Sequence, residues 1–221
     1  MGRLIHRLAE ENGHVVAVTI DDADSGLSAA ELAGRLQGVD VAIDFTAAAA
    51  VRRNVGACVA AGVPLVEGTT GWNDSRTEIE SIVRDGGGAI VFGANFSIGV
   101  NLFYKIAEFA SELFARFPEY ETFIEEQHHS RKKDAPSGTA LKIKEIVTRH
   151  VEVGDIAATR AGNIPGTHTV GFDGPADQIT LTHTARSREG FALGAITAAE
   201  WIVGKTGFYE FGDVMDEILN K

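Results

Sequence analysis

The 221-residue chain has a formal net charge of -11 and a sequence pI near 5.1. This acidic balance argues against nucleic acid as a general partner, because phosphate contacts need a basic surface. No apolar run approaches the roughly 18 residues of a membrane span, and the first residues lack the apolar core of a signal peptide, so we expect a cytoplasmic protein without a membrane partner. The single cysteine, Cys58, excludes an intrachain disulfide and is expected in the core.

The first half of the chain alternates short strands with helices of about ten residues, a pattern typical of βαβ units around a parallel sheet. Helices are predicted at 4–11, 47–61 and 75–84, and strands at 15–20, 41–46, 63–66 and 89–93. In such sheets ligands bind at the carboxyl ends of the strands.

The second half of the chain has a different sequence pattern. Alternating apolar and polar residues and glycine-rich turns predict two or three antiparallel strands between positions 160 and 183. An amphipathic helix with core aromatics is predicted at 102–117, a strand at 122–124, and helices at 141–150, 191–203 and 213–219. We therefore predict a Rossmann-like α/β domain over 1–97 and 189–221. An α+β domain with a mixed or antiparallel sheet is predicted over 98–188.

The loop over residues 125–140 carries most of the chemistry that the sequence shows. Its cations are His128, His129, Arg131, Lys132 and Lys133. Ser137 can cap the following helix, whose first amides, from Gly138 and Thr139, would attract a carboxylate or phosphate. A histidine and a lysine in one loop suit proton delivery to a bound anion. The alternative is a solvated loop in which Ser137 is only a helix cap.

This loop also resembles a known family. Glu126, His128, Lys132, Asp134 and the run 136–140 match the signature Glu-x-His-x-x-x-Lys-x-Asp-x-Pro-Ser-Gly-Thr-Ala of the dihydrodipicolinate reductases. Further similarity follows in order at 44–46, 68–71, 95–97, 160–168 and 188–195. The resemblance implies NAD(P)H-dependent reduction of 4-hydroxy-tetrahydrodipicolinate, a cyclic dicarboxylate, in the synthesis of diaminopimelate and lysine.

The resemblance also implies roles for individual residues. His128 would be the general acid or base that protonates the ring carbon, and Lys132 would be a second proton donor. The substrate carboxylates would be held by His129, Gly138, Thr139 and, as a weaker candidate near the domain junction, Arg188. We predict no metal, because His150, His168 and His183 lack the spacing of metal ligands.

For the cofactor, the resemblance implies two nicotinamide-side loops and the end of a phosphate loop. The residues concerned are Met1 and Gly2; Gly68, Thr69 and Thr70; and Gly93, Ala94, Asn95 and Phe96. Asp21 follows a predicted strand, where an acid accepts ribose hydroxyls and repels a 2′-phosphate, so NADH is expected and NADPH is possible. A polar turn is an equal alternative for Asp21. The family resemblance also implies that the domain over 98–188 binds the substrate and forms a homotetramer through its sheet.

The chain departs from the family at its start, where a first strand and the earlier glycines of the phosphate loop are absent. We expect that about 10 to 15 residues belong upstream, the length of one strand and a short loop. Two alternatives stay open. One is a cofactor-deficient homologue that binds the dicarboxylate without turnover, and the other is an unrelated α/β hydrolase, although no Gly-x-Ser-x-Gly turn is present.

Overall fold

The computed structural model describes residues 1–220, which form two compact units. The first unit comprises Met1–Ile98 together with the chain from Phe191 onward, and the second comprises Gly99–Gly190. Among the described residues, no helix has the length and apolar character needed to cross a membrane.

The first unit is built on a four-stranded parallel sheet in the order β1-β2-β3-β8. Its strands are β1 (Ala42–Asp44), β2 (Leu65–Glu67), β3 (Ala89–Phe92) and β8 (Gly207–Glu210). Its helices are α1 (Gly2–Glu11), α2 (Ala29–Arg35), α3 (Ala48–Ala61), α4 (Arg76–Asp85), most of α7 (Glu189–Ile202) and α8 (Phe211–Leu219). The strands β2 and β3 are buried along their length, as expected of a parallel sheet covered on both faces.

Apolar clusters hold these helices in place. Val51, Val55, Ile79 and Val83 of α3 and α4 pack in one cluster with Ile90 of β3. In a second cluster, Ile5 and Leu8 of α1 pack against Ala192 and Ile196 of α7, with Phe45 at its margin. The helix α1 is thereby placed beside the carboxyl end of β1.

The second unit has a mixed four-stranded sheet in the order β5-β4-β6-β7, in which only the β4–β5 pair is parallel. Its strands are β4 (Glu121–His128), β5 (Ala157–Arg160), β6 (Thr167–Asp173) and β7 (Gln178–Thr184), and its helices are α5 (Ile98–Phe114) and α6 (Gly138–Val147). Ile124, Val170 and Phe172 on the inner face pack with Phe103 of α5 and Ile143 of α6. The predicted fold class, an α/β sheet unit and an α+β unit, is confirmed.

One predicted element is wrong and two elements of the structure were not predicted. Residues 15–20 are extended but form no strand, since no described residue pairs with their backbone; Val16, Val18 and Ile20 still pack against the apolar clusters. The helix α2 was not predicted, although Ser28 and Glu31 form a capping box at its start. The strand β8 was not predicted either, because its four residues show no alternation.

The expectation that the aromatics of α5 are core is only partly correct. Phe103 is buried and Phe114 stacks on Phe172 with ring centroids 4.1 Å apart, but Phe109 and Phe117 are 62% and 51% exposed. The apolar residues of this helix extend around more of its circumference than the sheet covers.

Candidate active site

The strand β4 positions the first functional side chains. Successive side chains of a strand point to opposite faces, so Ile124, Glu126 and His128 share the buried face. The strand extends to His128, four residues beyond the predicted end at position 124. The signature loop therefore begins at the carboxyl end of this strand, with His128 as the last strand residue.

Glu126 is 1% exposed and lies at the centre of a hydrogen-bond network. Its Oε1 accepts from Arg160 Nη2 at 2.5 Å and from the Ser137 amide at 3.2 Å, and its Oε2 contacts His128 Nδ1. Burial by itself would raise the pKa of Glu126, but the hydrogen bonds from Arg160, His128 and Ser137 outweigh burial and lower it. Glu126 is therefore an ionised carboxylate that orients His128.

His128 is held through Nδ1, which leaves Nε2 as the nitrogen able to exchange a proton with a ligand. A Cβ at Gly166 would lie 3.0 Å from Nε2, so the glycine leaves this nitrogen room. Burial lowers the pKa of His128, the charges of Lys132 and Arg160 lower it further, and the contact with Glu126 opposes this effect. The ring therefore loses its proton more readily than an ordinary histidine.

His168 of β6 completes a buried cluster with these two residues. It pairs in register with Glu126, and its ring centroid lies 5.1 Å from that of His128. Burial, and secondarily the charge of His128, lowers the pKa of His168 to about 4, so it is neutral near pH 7. Its Nε2 lies 3.1 Å from Ser137 Oγ.

Side-chain atoms of Glu126, His128 and His168 lie within 4.8 Å of one another, a grouping that could hold a metal ion. The spacing of histidines in the sequence did not reveal it, because the ligands come from two strands. Both Glu126 oxygens already have partners, and the adjacent Arg160 disfavours a second cation. The absence of a metal stays a prediction.

The loop itself is tied to this cluster. Lys132 Nζ lies 2.8 Å from Asp134 Oδ1, and the hydrogen bond with Lys132 lowers the pKa of Asp134. Arg160 Nη2 also donates to the Asp134 carbonyl oxygen at 2.6 Å. One guanidinium thus joins the loop to the carboxylate below it.

The helix α6 begins where an anion cradle was predicted. Ser137 is its N-cap and accepts from the Ala140 amide at 3.2 Å, as predicted for a cap. Gly138 is exposed, with no atom within 4 Å of a Cβ placed there, so a ligand can approach its backbone. Thr139 hydrogen-bonds Tyr104, whose pKa burial raises to about 12.

Two predicted substrate residues are placed differently. His129 is half-buried beside His128, and its Nδ1 is buried without a hydrogen-bond partner among the described residues. Arg188 lies exposed before α7, and no contact within the described part of the chain joins it to the loop. Sequence reasoning assigned no role to Glu126, Arg160, His168 and Tyr104. Glu126 was visible within the signature, and Arg160 and His168 within the further similarity at 160–168, whereas Tyr104 belongs to neither.

The predicted cofactor residues surround the carboxyl ends of β1, β2 and β3. The Thr46 amide donates to Thr69 Oγ1 at 3.0 Å, and the rings of Phe45 and Phe96 lie edge to face 6.0 Å apart. Gly68 has to be a glycine, since a Cβ there would lie 2.2 Å from the Phe45 ring. The three loops that follow these strands are therefore in mutual contact. Thr70 is exposed in the second loop, and Gly93, Ala94 and Asn95 form the third.

The N-terminus of α1 offers a further element of a nucleotide site. Met1 is its N-cap and supplies no side-chain hydrogen bond, and a Cβ at Gly2 would have no atom within 4 Å. Uncapped amides at a helix N-terminus favour a phosphate. Asp21 is exposed and accepts from the Ala23 amide at 2.9 Å, as N-cap of a short 3₁₀ helix at Asp22–Asp24.

Comparison with known proteins shows the family to which the sequence belongs. The family described as "Dihydrodipicolinate reductase, N-terminus" matches residues 1–96, and "Dihydrodipicolinate reductase, C-terminus" matches residues 99–215. The chain belongs to the dihydrodipicolinate reductase family. The resemblance inferred from the signature is thereby confirmed, and with it the enzyme class.

Several relatives carry the name 4-hydroxy-tetrahydrodipicolinate reductase. The chain is 34% identical to the one from Christiangramia forsetii, across 99% of this chain and 95% of the relative. It is 37% identical to the one from Archaeoglobus fulgidus, across 98% and 96%. Among solved structures, the chain is similar to the dipicolinate-bound dihydrodipicolinate reductase from Paenisporosarcina sp. TG-14, with a TM-score of 0.66 and 24% sequence identity. The similarity covers 79% of this chain and 73% of that one and shows the same fold.

The network around Glu126 can be tested by Glu126→Gln. The variant leaves the partly buried Arg160 without its anionic partner, so the free energy of unfolding should fall by about 3 kcal/mol in chemical denaturation. Loss of the negative charge should also lower the pKa of His128, measured by NMR titration of its ring. Glu125→Gln, on the exposed face of the same strand, is the matched control and should change neither quantity. An unchanged His128 pKa in Glu126→Gln would contradict the network.

Proposed function

We propose that this protein reduces 4-hydroxy-tetrahydrodipicolinate to tetrahydrodipicolinate with a pyridine nucleotide, the 4-hydroxyl group leaving as water, in the synthesis of diaminopimelate and lysine. The observation that carries the proposal is His128, held by a buried carboxylate beside Lys132 and the open N-terminus of α6. A dicarboxylate ring needs a cationic cradle and a proton donor, and this loop supplies both within a chain of net charge -11.

The second unit would bind the substrate and move the proton. The Gly138 and Thr139 amides hold one carboxylate at the helix N-terminus, and His129 and the more distant Arg188 are candidates for the other. His128 donates its Nε2 proton to the ring carbon, while Glu126 stabilises the charged imidazole before transfer. Lys132 offsets the developing charge and is the second donor. Asp134 keeps its ammonium group in place.

The first unit fits a pyridine nucleotide. A reduced nicotinamide, when bound, supplies the hydride that complements the proton from His128. The uncapped amides of α1 at Gly2 suit the pyrophosphate, and the contacting loops at Gly68–Thr70 and Gly93–Phe96 suit the nicotinamide half. Cytoplasmic location stays a prediction from the sequence.

The activity is tested by NADH oxidation on addition of 4-hydroxy-tetrahydrodipicolinate, with His128→Gln as the central variant. The variant should lower kcat by about 10² or more with a modest change in KM, because general acid catalysis contributes on that order. Proton donation requires a protonated ring, so the wild-type rate should fall as pH rises through the His128 pKa, which lies below its ordinary value. This fall in rate with rising pH should be absent in His128→Gln.

His150→Gln, a histidine on the turn after α6, is the matched control and should keep the wild-type rate and pH profile. Unchanged turnover in His128→Gln would remove His128 from its role. Binding of NADH and of the dicarboxylate without any oxidation would instead support a binding protein without turnover.

We propose NADH as the preferred cofactor, on the basis of Asp21. Asp21→Ala should narrow the ratio of kcat/KM for NADH over NADPH by roughly tenfold, because it removes both a ribose acceptor and the charge that repels a 2′-phosphate. The matched control is Asp22→Ala, the adjacent acid in the same turn. A ratio that does not move in Asp21→Ala would leave Asp21 as the cap of a 3₁₀ helix only.

We propose that the protein is a homotetramer assembled through the outer face of the second unit's sheet. This face is rich in threonine: Thr167, Thr169, Thr180, Thr182 and Thr184. Thr169 and Thr182 hydrogen-bond across β6 and β7 at 3.1 Å, so the part of the face formed by these two strands is uncharged around this pair.

Replacing Thr169 and Thr182 together by arginine should dissociate the assembly, because like charges would be buried between facing sheets. Sedimentation velocity measures the result, with Thr148→Arg, at the exposed residue that follows α6, as the control. The assignment fails if the double variant keeps the wild-type mass, or if the wild type is itself monomeric.

A further inference from the structure

Two buried acids lie side by side at the carboxyl ends of β1 and β2. Asp44 is 7% exposed and Glu67 is 0% exposed, and the two residues are register partners in the parallel sheet. The charge of Asp44 acts on the Glu67 carboxyl group, and each acid has one buried oxygen without a hydrogen-bond partner among the described residues. A hydrogen bond between two carboxyl groups requires that one of them be protonated.

The other contacts of these acids indicate where the proton is shared. Asp44 Oδ2 accepts from Asn54 Nδ2 at 2.7 Å, and Glu67 Oε1 accepts from the Thr69 amide at 2.7 Å. The remaining oxygens, Asp44 Oδ1 and Glu67 Oε2, are buried and have no other donor among the described residues. One proton held between the two carboxyl groups would supply the donor that these oxygens lack.

The surrounding groups favour Glu67 as the protonated acid. Arg53 Nε and Nη2 donate to Asn54 Oδ1 at 3.1 and 3.0 Å, so the Asn54 side chain links the Arg53 guanidinium to Asp44. Glu67 has no such link to a cation among the described residues. Burial, followed by the charge of Asp44, raises the pKa of Glu67 to about 8.

Few other ionisable groups face this pair. On α3, Cys58 is buried near both acids, and burial raises the pKa of its thiol to about 12, so it stays neutral. On β3, the register partner of Glu67 is Phe92, which carries no charge. Thr46 and Thr69, in the two adjoining loops, do not ionise in this range. Glu67 is thus the group whose charge changes at mildly alkaline pH.

Glu67 is also the anchor of the loop that follows β2. Glu67 receives hydrogen bonds from both the amide and the hydroxyl of Thr69. Thr69 in turn accepts from the Thr46 amide through Oγ1. Its carbonyl oxygen accepts from Trp72 Nε1 at 2.8 Å. The loops after β1 and β2 are therefore held together through one protonated side chain. The loop after β2 is one of the loops assigned above to the cofactor.

We propose that Glu67, protonated and donating to Asp44, is a positioning residue that holds the Gly68–Thr70 loop ready for the pyridine nucleotide, and that loss of its proton weakens cofactor binding. Two adjacent buried carboxylates repel each other, so ionisation separates the side chains and displaces Thr69. The added negative charge also disfavours the pyrophosphate. This inference rests on the proposed function, since it concerns the same cofactor.

The test is the Kd for NADH, measured by fluorescence across neutral and alkaline pH with the protein confirmed as folded by circular dichroism. If only the protonated form binds, the wild-type Kd should rise about tenfold at one pH unit above the Glu67 pKa. Glu67→Gln keeps a donor to Asp44 and an acceptor for Thr69 but cannot ionise. Its Kd should stay near the neutral wild-type value across the range, and kcat at saturating NADH should change little.

Glu67→Ala, which loses both contacts, should bind NADH weakly at every pH, and Glu80→Gln, an exposed acid on α4, should reproduce the wild-type profile. The inference is overturned by a wild-type Kd that does not change with pH, or by an alkaline rise that persists in Glu67→Gln; in either case the proposed function stands. Failure of the wild type to bind any pyridine nucleotide at neutral pH would overturn both.

Discussion

A carboxylate buried beneath the mixed sheet is the constraint on which the second unit depends. An isolated charge at the position of Glu126 would cost on the order of several kcal/mol in lost hydration, so it persists only with partners. Arg160 of β5, the Ser137 amide before α6 and His128 of β4 supply them. Three separate segments are thus brought to one point, and the imidazole that they hold is the group that a proton-transfer reaction requires.

The first unit contains a second buried acid and stabilises it differently. Glu126 has a cation in contact and is ionised, whereas Glu67 has only another acid, Asp44, and retains a proton. The difference follows from what the neighbouring elements supply, since Arg160 reaches Glu126 directly and Arg53 reaches Asp44 only through Asn54. Identical side chains therefore serve as a charge in one unit and as a hydrogen-bond donor in the other.

Local patterns account for much of the fold. The alternation of elements correctly predicted the parallel sheet, and Gly62, in the left-handed conformation, ends α3 where a helix end was predicted. The sequence-based predictions fail where pairing with a neighbouring backbone decides whether a segment forms a strand. Residues 15–20 have the composition of a strand, but a strand also needs a neighbouring backbone. The four residues of β8 lack alternation and are a strand because β3 pairs with them.

The sequence alone determined the family, the identity of the loop and the residues of its signature, because these depend on residue types at short spacing. It also determined that Ser137 starts a helix, since a cap is a local interaction. Only the tertiary structure decided that Arg160 and His168 join Glu126 and His128, and that Asp44 and Glu67 lie side by side as buried acids. These contacts arise from strand pairing, which brings together residues tens of positions apart in the chain, and the pattern within one strand does not tell which other strand it will pair with.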